Sequence, residues 1–322
     1  MEAINSMNKG KSMILVAGSA NLDFVVRADH IPQPGETVLG RDFQTFPGGK
    51  GANQAIASSR AGGVPTQMLV ALGSDSFATP IEESLRGSKV ALELVRSESE
   101  PTGTAFMCVS ADGENAITVA PGANFELRPE HLPALSNVSH LLLQLEIPLP
   151  TVVAYANTAR SSGVCVVLNA APAQALPAEL LSNIDVLVVN QGELAALTQH
   201  AGSIAQCLDS LNISTVVVTL GSRGCCVRHL GEHFFQPAFQ VTPVDTTAAG
   251  DTFCGSMTAA LSLGSSMPEA LRIASAAGAL ACTRLGAQSS IPTKAEIEVF
   301  LAAQAEFSTE SIQALRSFCG MN

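Results

Sequence analysis

The sequence has no tryptophan and a single tyrosine, and aromatic residues make up 4% of its 322 residues. Apolar residues nevertheless reach 47%, so a large core must be built mainly from alanine, valine and leucine. This composition is expected for a buried parallel sheet flanked by helices. The length is compatible with a single α/β domain.

Basic residues are also scarce, with 17 Lys and Arg against 28 Asp and Glu and a formal charge of −11. Such a chain, without basic runs, is not suited to nucleic acid or to anionic membrane surfaces. No apolar run reaches the ~18 residues that a membrane span needs, and the N-terminal residues do not resemble a signal peptide. We therefore expect a cytoplasmic protein that acts on small molecules.

The eight cysteines show no metal-ligand spacing. Cys225 and Cys226 are adjacent, and the others stand singly, mostly in apolar runs, as Cys165 does. We interpret them as small core residues of a protein in a reducing compartment.

Apolar segments of strand length alternate with helical patterns along most of the chain. This order predicts parallel strands joined by right-handed crossovers. After residue 224 the pattern predicts two short strands and then a helical block over 251–285. The expected fold class is α/β, a doubly wound and mostly parallel sheet flanked by helices. The strands are predicted at 13–17, 67–72, 140–145, 164–168, 186–190 and 215–220, and helices between them at 51–61, 151–161 and 203–211.

Two segments depart from this alternation. Residues 24–46 carry paired short strands with turn residues, and residues 103–121 have the pattern of a hairpin around an Ala-Asp-Gly turn at 111–113. Alternating strands of this kind can leave one face in water. We predict a small appended sheet within one domain over 13–304, with a disordered tail at 1–12 and a C-terminal tail at 305–322.

The most informative stretch is DTTAAGDTF at 245–253, which leads into an apolar helix. Small residues at 248–250 let backbone N–H groups crowd at a helix start, where the dipole and the unpaired donors favour an anion. Asp251 would repel phosphate, but it suits a general base that takes a proton from an attacking hydroxyl. An ordinary capped helix with an acidic first turn is the alternative.

A second glycine cluster, GGKGANQA at 48–55, opens another predicted helix. Glycine lets a small substrate approach the backbone, and Lys50 and Asn53 supply donors for a polyhydroxylated ligand. The spacing fits neither GxGxxG nor GxxxxGK[ST], so it excludes a dinucleotide-binding motif and a Walker-type phosphate loop. Asn21 and Asp23 follow the first predicted strand, at an end where open α/β sheets bind ligands; turn chemistry is the alternative.

Together these motifs resemble the PfkB family of carbohydrate kinases over residues 13–301. The resemblance implies that the appended sheet, at about 24–46 and 103–121, is a β lid over the sugar and packs on the lid of a second subunit in a homodimer. A lid excludes water, which competes with the sugar as acceptor. The matching motifs are PQPGET at 32–37, GGKGANQA at 48–55, QLE at 144–146, NQGE at 190–193, TLGSRG at 219–224, DTTAAGDTF at 245–253 and GAQ at 286–288.

The resemblance also implies roles for the matching residues. Asp251 would be the base for the primary hydroxyl of the sugar, while backbone N–H groups of Ala248, Ala249 and Gly250 would hold the phosphoryl charge. For Glu146 the alternative is a strand-end charge in solvent. The sugar would be bound by Asn21, Asp23, Gly49, Lys50, Asn53, Glu146 and Asp251. ATP would be bound by Asn190, Thr219, Gly221, Ser222, Arg223, Gly224 and Gly250.

Two cations are implied as well. Mg²⁺ would be held through a water that Glu193 orients, although Gln191 stands where the family commonly has Glu. A monovalent cation, K⁺, would lie beside the anion-binding turn and would be held mostly by backbone carbonyls. Its expected ligands are Asp245, Thr247, Ala281, Arg284, Gly286 and Ser290.

The sugar is predicted to be neutral. Family members that accept a phosphorylated sugar typically carry an Arg on the second lid hairpin, and residues 102–125 contain no Lys or Arg. An Asn21 amide placed for a 2-hydroxyl favours D-ribose over 2-deoxyribose. The expected reaction is ATP-dependent phosphorylation of D-ribose at its 5-hydroxyl. The alternatives are a deoxyribose kinase, a phosphofructokinase-like enzyme and a catalytically silent sugar-binding regulator.

Overall fold

The computed structural model describes residues 11–199 and 202–321. Apart from residues 11 and 12, which precede the first strand, the tail predicted at 1–12 lies outside the described residues. The strands are β1 (Met13–Ala17), β2 (Asn21–Arg27), β3 (Arg41–Gly48), β4 (Thr66–Gly73), β5 (Val90–Ser97), β6 (Gly103–Val109), β7 (Asn115–Ala120), β8 (Val138–Leu143), β9 (Cys165–Asn169), β10 (Val186–Asn190), β11 (Thr215–Thr219), β12 (Gly224–His229) and β13 (Glu232–Pro237).

Helices connect most of these strands. A π-helical turn, Ala57–Ala61, extends the first helix, and short 3-10 helices lie at Gly122–Glu126, Pro129–His131 and Gly221–Arg223. The α-helices are α1 (Lys50–Ile56), α2 (Ala78–Gly87), α3 (Leu149–Ser161), α4 (Ala178–Ser182), α5 (Gln191–Thr198), α6 (Ile204–Asp209), α7 (Ala249–Ser262), α8 (Met267–Ala281), α9 (Lys294–Ala302) and α10 (Thr309–Phe318).

The larger sheet has nine strands within the described ranges, in the order β13-β12-β11-β10-β9-β8-β1-β4-β5. The strands from β11 to β5 are parallel, and β12 and β13 add an antiparallel edge. The central strands are buried along nearly their whole length because both faces of the sheet are covered. The prediction of a doubly wound, mostly parallel α/β sheet is confirmed.

Two cores lie on the two faces of this sheet. Along β1, Ile14 and Val16 point into one core and Leu15 and Ala17 into the other, since side chains alternate across a strand. The first core contains α1, α7 and α8, and the second contains α3. Alanine lines α8 on its buried side, which lets α7 and α8 pack closely without aromatic residues.

The smaller sheet, which we call the lid, has the order β3-β2-β6-β7. Strands β6 and β7 form an antiparallel hairpin around the predicted turn, where Gly113 has a φ of 89°. Strand β2 begins at Asn21 and pairs with β6 in parallel and with β3 antiparallel. The small appended sheet predicted from the sequence is therefore present.

Several elements before the C-terminal segment differ from the sequence prediction, and the helices α4, α5 and α9 were among those not predicted. The helix α2 and the strand β5 were not predicted, because β5 is a half-exposed edge strand without an apolar run. The helical block predicted over 251–285 is two helices, α7 and α8, which separate at Gly264 with a φ of 87°.

The C-terminal segment also differs from its prediction. We expected a tail over 305–322, but the structure has the helix α10 there. Leu315 is 5% exposed and Cys319 is fully buried, and both belong to the core on the α3 face of the sheet. Together with Ile312 they have the i, i+3, i+7 spacing of an amphipathic helix, which the sequence prediction overlooked, and their burial ties the segment to the sheet.

All eight cysteines lie in the described part of the chain, where they form no disulfide, and six of them are buried. Within 11–199 and 202–321, no helix is long and apolar enough to cross a membrane.

Candidate active site

The candidate site lies where three parallel strands end and two helices begin. Strands β1, β8 and β9 end side by side in the sheet, and the first turns of α1 and α7 face them. This is the position at which open α/β sheets bind ligands. The lid strand β2 leaves the same edge, so the site receives groups from the sheet, both helices and the lid.

Asp251 lies in the first turn of α7 and both of its carboxylate oxygens accept hydrogen bonds. Asn53 Nδ2 donates to Oδ2 and Gln54 Nε2 donates to Oδ1, each at 2.9 Å. Burial raises the pKa of the Asp251 carboxyl, and the charge of Lys50 and these two amide bonds offset part of the rise. A carboxylate with a raised pKa is suited to accept a proton.

The turn before Asp251 leaves a helix start open to an anion. Ala248 is the N-cap residue of α7, has a left-handed φ of 58° and makes no side-chain cap. A Cβ added at Gly250 would meet no atom within 4 Å, so space lies beside the turn. The N–H of Ala249 donates to the Thr246 carbonyl at 3.2 Å. One of the three predicted donors is therefore engaged within the turn itself.

Glu146 and Lys50 form a second part of the site. The Glu146 carboxylate accepts from Ser19 Oγ at 2.5 Å and from the backbone N–H of Lys50 at 3.1 Å, and Lys50 Nζ lies 3.8 Å from it. Its side chain is 14% exposed, which contradicts the alternative of a solvent-facing strand end. Burial lowers the pKa of Lys50, but the carboxylates of Asp251 and Glu146 raise it more, so the ammonium stays charged.

Asn21 is held by a residue that sequence reasoning did not identify. Asn124 Nδ2 donates to Asn21 Oδ1 at 2.8 Å, and Asn124 Oδ1 accepts from the Ala20 N–H at 2.9 Å. Both amides are buried. Because its oxygen already accepts a hydrogen bond from Asn124, the NH₂ group is the part of the Asn21 amide that is left to donate.

Asp23 extends the site onto the lid. Its pKa is raised to about 7, first by burial and then by the nearby carboxylates of Glu146 and Asp251, while Lys50 lowers it. These electrostatic effects require the four charges to lie close together. Asp23 therefore faces the other predicted sugar-binding residues.

Gly49 and Asn53 complete this group at the start of α1. Gly49 has a φ of 90°, and a Cβ there would lie 2.6 Å from the Ala20 Cα, so the position requires glycine. Asn53 is 5% exposed, and its Oδ1 has no hydrogen-bond partner within the described residues. A buried polar atom without a partner is costly unless a ligand hydroxyl satisfies it.

On the nucleotide side, Asn190 and Glu193 form a capping box at the start of α5. Asn190 Oδ1 accepts from the Glu193 N–H, and Glu193 Oε2 accepts from the Asn190 N–H, both at 2.8 Å. Burial raises the pKa of Glu193, and Lys50 and Asp251 lie near enough to act on it. The Glu193 carboxylate thus lies within electrostatic range of Lys50 and Asp251, while its contact with the Asn190 N–H fixes the helix start.

The predicted nucleotide loop follows β11. Thr219 Oγ1 donates to the Val189 carbonyl at 3.4 Å, and Gly221, Ser222 and Arg223 form an exposed 3-10 turn that ends at Gly224 with a φ of 110°. The Arg223 guanidinium lies 4.3 Å from the ring centroid of Phe318 on α10. Its charge is therefore engaged by the last helix, which the sequence did not predict.

The predicted cation loop is joined to the anion turn by Asp245. Its Oδ1 accepts from the N–H and the hydroxyl of Thr247, and its Oδ2 accepts from the Gly286 N–H at 2.9 Å. The Ala281 carbonyl accepts from the Arg284 N–H at 3.2 Å, while the Arg284 side chain bonds to Glu296. Ser290 Oγ donates to the Ala287 carbonyl at 2.7 Å.

Within residues 11–199 and 202–321, no group of three or more His, Cys, Asp and Glu side chains is arranged to hold a metal ion.

The fold and the site together define an enzyme that transfers a phosphoryl group to an alcohol: a buried base beside an open helix start, next to donors for a polyhydroxylated substrate. Residues 11–294 match the model of the pfkB family of carbohydrate kinases. The chain belongs to this family and is a phosphotransferase with an alcohol group as acceptor.

Three similar proteins are ribokinases by name, and two of them have solved structures that superimpose on this chain. The ribokinase of Haemophilus influenzae is 39% identical over 303 residues, covering 90% of this chain and 99% of the relative. The ribokinase of Thermotoga maritima superimposes with a TM-score of 0.84 at 37% identity, over 90% of this chain and 99% of its own. The Arabidopsis thaliana ribokinase complexed with ribose and ATP gives a TM-score of 0.83 at 33% identity, over 92% and 100%.

Proposed function

We propose that this protein is an ATP-dependent kinase that converts D-ribose and ATP into D-ribose 5-phosphate and ADP. The observation that carries the proposal is Asp251, which stands at the open start of α7 with Lys50, Asn53 and Glu146 around it. The names of the similar proteins, and the ribose and ATP in one of their structures, support the substrate pair.

In the proposed reaction, Asp251 takes the proton of the 5-hydroxyl as that oxygen bonds to the γ-phosphorus. The bond from the γ-phosphorus to the β,γ-bridging oxygen breaks, and ADP leaves in line. The N–H groups of Gly250 and its neighbours, together with the dipole of α7, stabilise the charge of the transferring group. Lys50 offsets part of the negative charge of the surrounding carboxylates.

Mg²⁺ is expected to accompany ATP, where it would neutralise the phosphate charge. The carboxylate of Glu193 fits the role of holding a water molecule of its shell, because it is partly buried and lies within electrostatic reach of Asp251 and Lys50. Hard oxygen ligands and retained water are what Mg²⁺ prefers.

The proposed preference for ribose rests on Asn21. Asn124 fixes its amide so that the NH₂ group is available for an acceptor such as a 2-hydroxyl. A deoxy sugar would leave this buried donor unpaired, which sites of this kind reject.

We further propose that K⁺ activates the enzyme by ordering the 245–251 turn. Asp245 already joins Thr247 to Gly286, so a cation on the nearby carbonyls would stabilise the turn from outside the sugar site. We predict a higher rate in KCl than in NaCl or tetramethylammonium chloride at equal ionic strength. Equal rates in the three salts would contradict K⁺ activation while leaving the kinase reaction intact.

A homodimer formed through the lid and a cytoplasmic location complete the proposal. The lid carries exposed apolar residues, including Phe106 and Ile117. Cysteines that form no disulfide within the described residues suit a reducing compartment.

The function is tested by coupled measurement of ADP release with Mg-ATP and K⁺. Ribose, 2-deoxyribose, fructose and fructose 6-phosphate are compared, and Asp251→Asn is the matched variant. We expect turnover of ribose above the other sugars and a loss of about two to four decades in the variant. Preferred turnover of fructose 6-phosphate would overturn the choice of substrate. Ribose binding without turnover of any sugar would instead identify a sugar-binding regulator.

A further inference from the structure

Three buried amides form a hydrogen-bonded chain behind Asp251. Gln144 Nε2 donates to Gln54 Oε1 at 2.7 Å, and Gln54 Nε2 donates to Asp251 Oδ1 at 2.9 Å and to Asn169 Oδ1 at 3.0 Å. Gln54 and Gln144 are fully buried, and Asn169 is 9% exposed. We call Gln144, Gln54 and Asn169 the amide chain; none of them has a role in the reaction described above.

The amide chain permits a single orientation of Gln54. If its nitrogen and oxygen were exchanged, the oxygen would face the acceptor oxygens of Asp251 and Asn169, and the nitrogen would face the donor of Gln144. Asn169 Nδ2 donates to the Val188 carbonyl at 3.3 Å, which keeps the Asn169 oxygen directed at Gln54. Both N–H groups of Gln54 are therefore committed to acceptors.

The amide chain is anchored in the rigid sheet. Gln144 directly follows β8, Asn169 ends β9, and Gln54 lies on α1. A Cβ at Gly18, after β1, would lie 1.9 Å from Gln144 Oε1, so the neighbouring strand leaves room for this amide. Buried polar networks of this kind rigidify the groups that they contact.

We propose that Gln54 is a positioning residue for Asp251, which holds Oδ1 on the inner side of the site and leaves Oδ2 facing the substrate hydroxyl. The second oxygen lies beside Asn53, whose own unpartnered Oδ1 marks the ligand side. This inference rests on the proposed role of Asp251 as the base. Without Gln54 the carboxylate would be held by Asn53 alone and would spend less time in line with the hydroxyl, and small misplacements of reacting groups lower rates strongly.

The direct test is Gln54→Met, which keeps the length and approximate volume of the side chain and removes the donor. We expect kcat to fall about tenfold or more, while KM for ribose changes by less than about threefold because ground-state contacts remain. The acidic limb of the kcat profile should move to higher pH, because a hydrogen bond to the ionised carboxylate favours that form. The other charged groups around Asp251, namely Lys50, Glu146, Asp23 and Glu193, are unchanged in the variant.

Two further variants separate positioning from a general loss of packing. Gln144→Met leaves the Gln54 bond to Asp251 but removes its anchor, so the same changes should appear at reduced size. Thr258→Val, further along α7, removes a buried hydroxyl that donates to the Cys254 carbonyl at 2.8 Å. It should lower the melting temperature and leave the pH profile where it is.

A readout that does not need turnover distinguishes this inference from the proposed function. The side-chain carboxyl carbon of Asp251 is followed by ¹³C NMR during a pH titration, with its signal assigned by its absence in Asp251→Asn. We expect Asp251 to titrate at higher pH in Gln54→Met than in the wild type. A wild type that does not phosphorylate ribose would refute the proposed function. The titration would still show whether Gln54 stabilises the ionised carboxylate of Asp251. Unchanged titration, or a kcat effect that Thr258→Val reproduces, would overturn the positioning role.

Discussion

At the scale of single residues, four charged side chains share a small buried volume. The carboxylates of Asp23, Glu146 and Asp251 surround the ammonium of Lys50, and the pKa of both Asp23 and Asp251 is raised. One cation cannot balance three carboxylates, so the ligand-free site stores unfavourable electrostatic energy. Sugar hydroxyls, which donate to carboxylates, would relieve part of it.

The unfavourable electrostatic energy at Asp23 can be measured as a change of the unfolding free energy with pH. Its folded pKa of about 7 lies above the unfolded value, so its contribution to stability is present below pH 4 and is lost as pH rises through 7. The unfolding free energy of Asp23→Asn minus that of the wild type should therefore rise by about 2 kcal/mol between pH 4.5 and pH 8. One pKa unit corresponds to about 1.4 kcal/mol, and the expected value is discounted because Asp23 is partly exposed. Urea titrations without ribose measure the difference.

The same variant should bind ribose more weakly, because a carboxylate acceptor is lost. Asp42→Asn, on the lid but 63% exposed, serves as the control and should show no such dependence on pH. A stability difference between Asp23→Asn and wild type that stays constant from pH 4.5 to pH 8 would show that Asp23 is not electrostatically strained.

At the scale of secondary-structure elements, the last helix reaches into the nucleotide side of the site. The stacking of Arg223 on Phe318 joins the loop after β11 to α10, and Leu315 and Cys319 hold α10 to the core. A segment that looks dispensable in the sequence therefore supports a loop that is predicted to bind ATP.

Removing this contact should weaken ATP binding and leave ribose binding unchanged. Phe318→Ala is expected to raise KM for ATP about two- to fivefold, the equivalent of about 0.5–1 kcal/mol for an exposed cation–π contact. KM for ribose should stay unchanged in steady-state assays. Ile312→Ala, a partly exposed residue on the same helix, controls for loosening of α10. An equal effect of the two variants would argue against a specific role of the stacking.

At the scale of the whole molecule, the lid has apolar residues that the rest of the described chain leaves exposed. Phe24 stacks with Phe43 and Phe106 on one face, while strand alternation places Ile117 and Val119 on the other. Phe43, Phe106, Ile117 and Val119 are between 43% and 64% exposed. Exposed apolar residues on the faces of a sheet are typical of a surface that binds a partner, as the proposed homodimer requires.

If the lids of two subunits cover each other, a charge on β7 should separate them. Ile117→Lys is expected to sediment as a monomer at concentrations where the wild type is a dimer. Val299→Lys, on α9 with Val299 72% exposed, introduces the same charge on an exposed apolar position away from the lid and should remain dimeric. A monomeric wild type, or a dimeric Ile117→Lys, would refute assembly through the lid.

Much of this architecture could be predicted from local pattern. The apolar runs of β1 and β8–β11 are long and bounded by turn residues, and the lid hairpin has its own turn. The edge strand β5 and the helix α10 were missed because each packs on one side only, so that exposed polar residues interrupt its apolar ones. In the site, the motifs identified Asp251, Lys50 and Glu146, whereas Asn124 and the link between Gln144 and Gln54 required the folded chain.

The sequence by itself determined the fold class, the family and the position of the proposed base, because each can be recognised from short motifs of residues that are close together in the chain. The tertiary structure decided which oxygen of Asp251 is tied to Gln54, which end of the Asn21 amide is free and where the last helix packs. These depend on contacts between residues that lie about 100 to 200 positions apart. Hydrogen bonds of that kind have no local signature, because their partners meet after the sheet has formed.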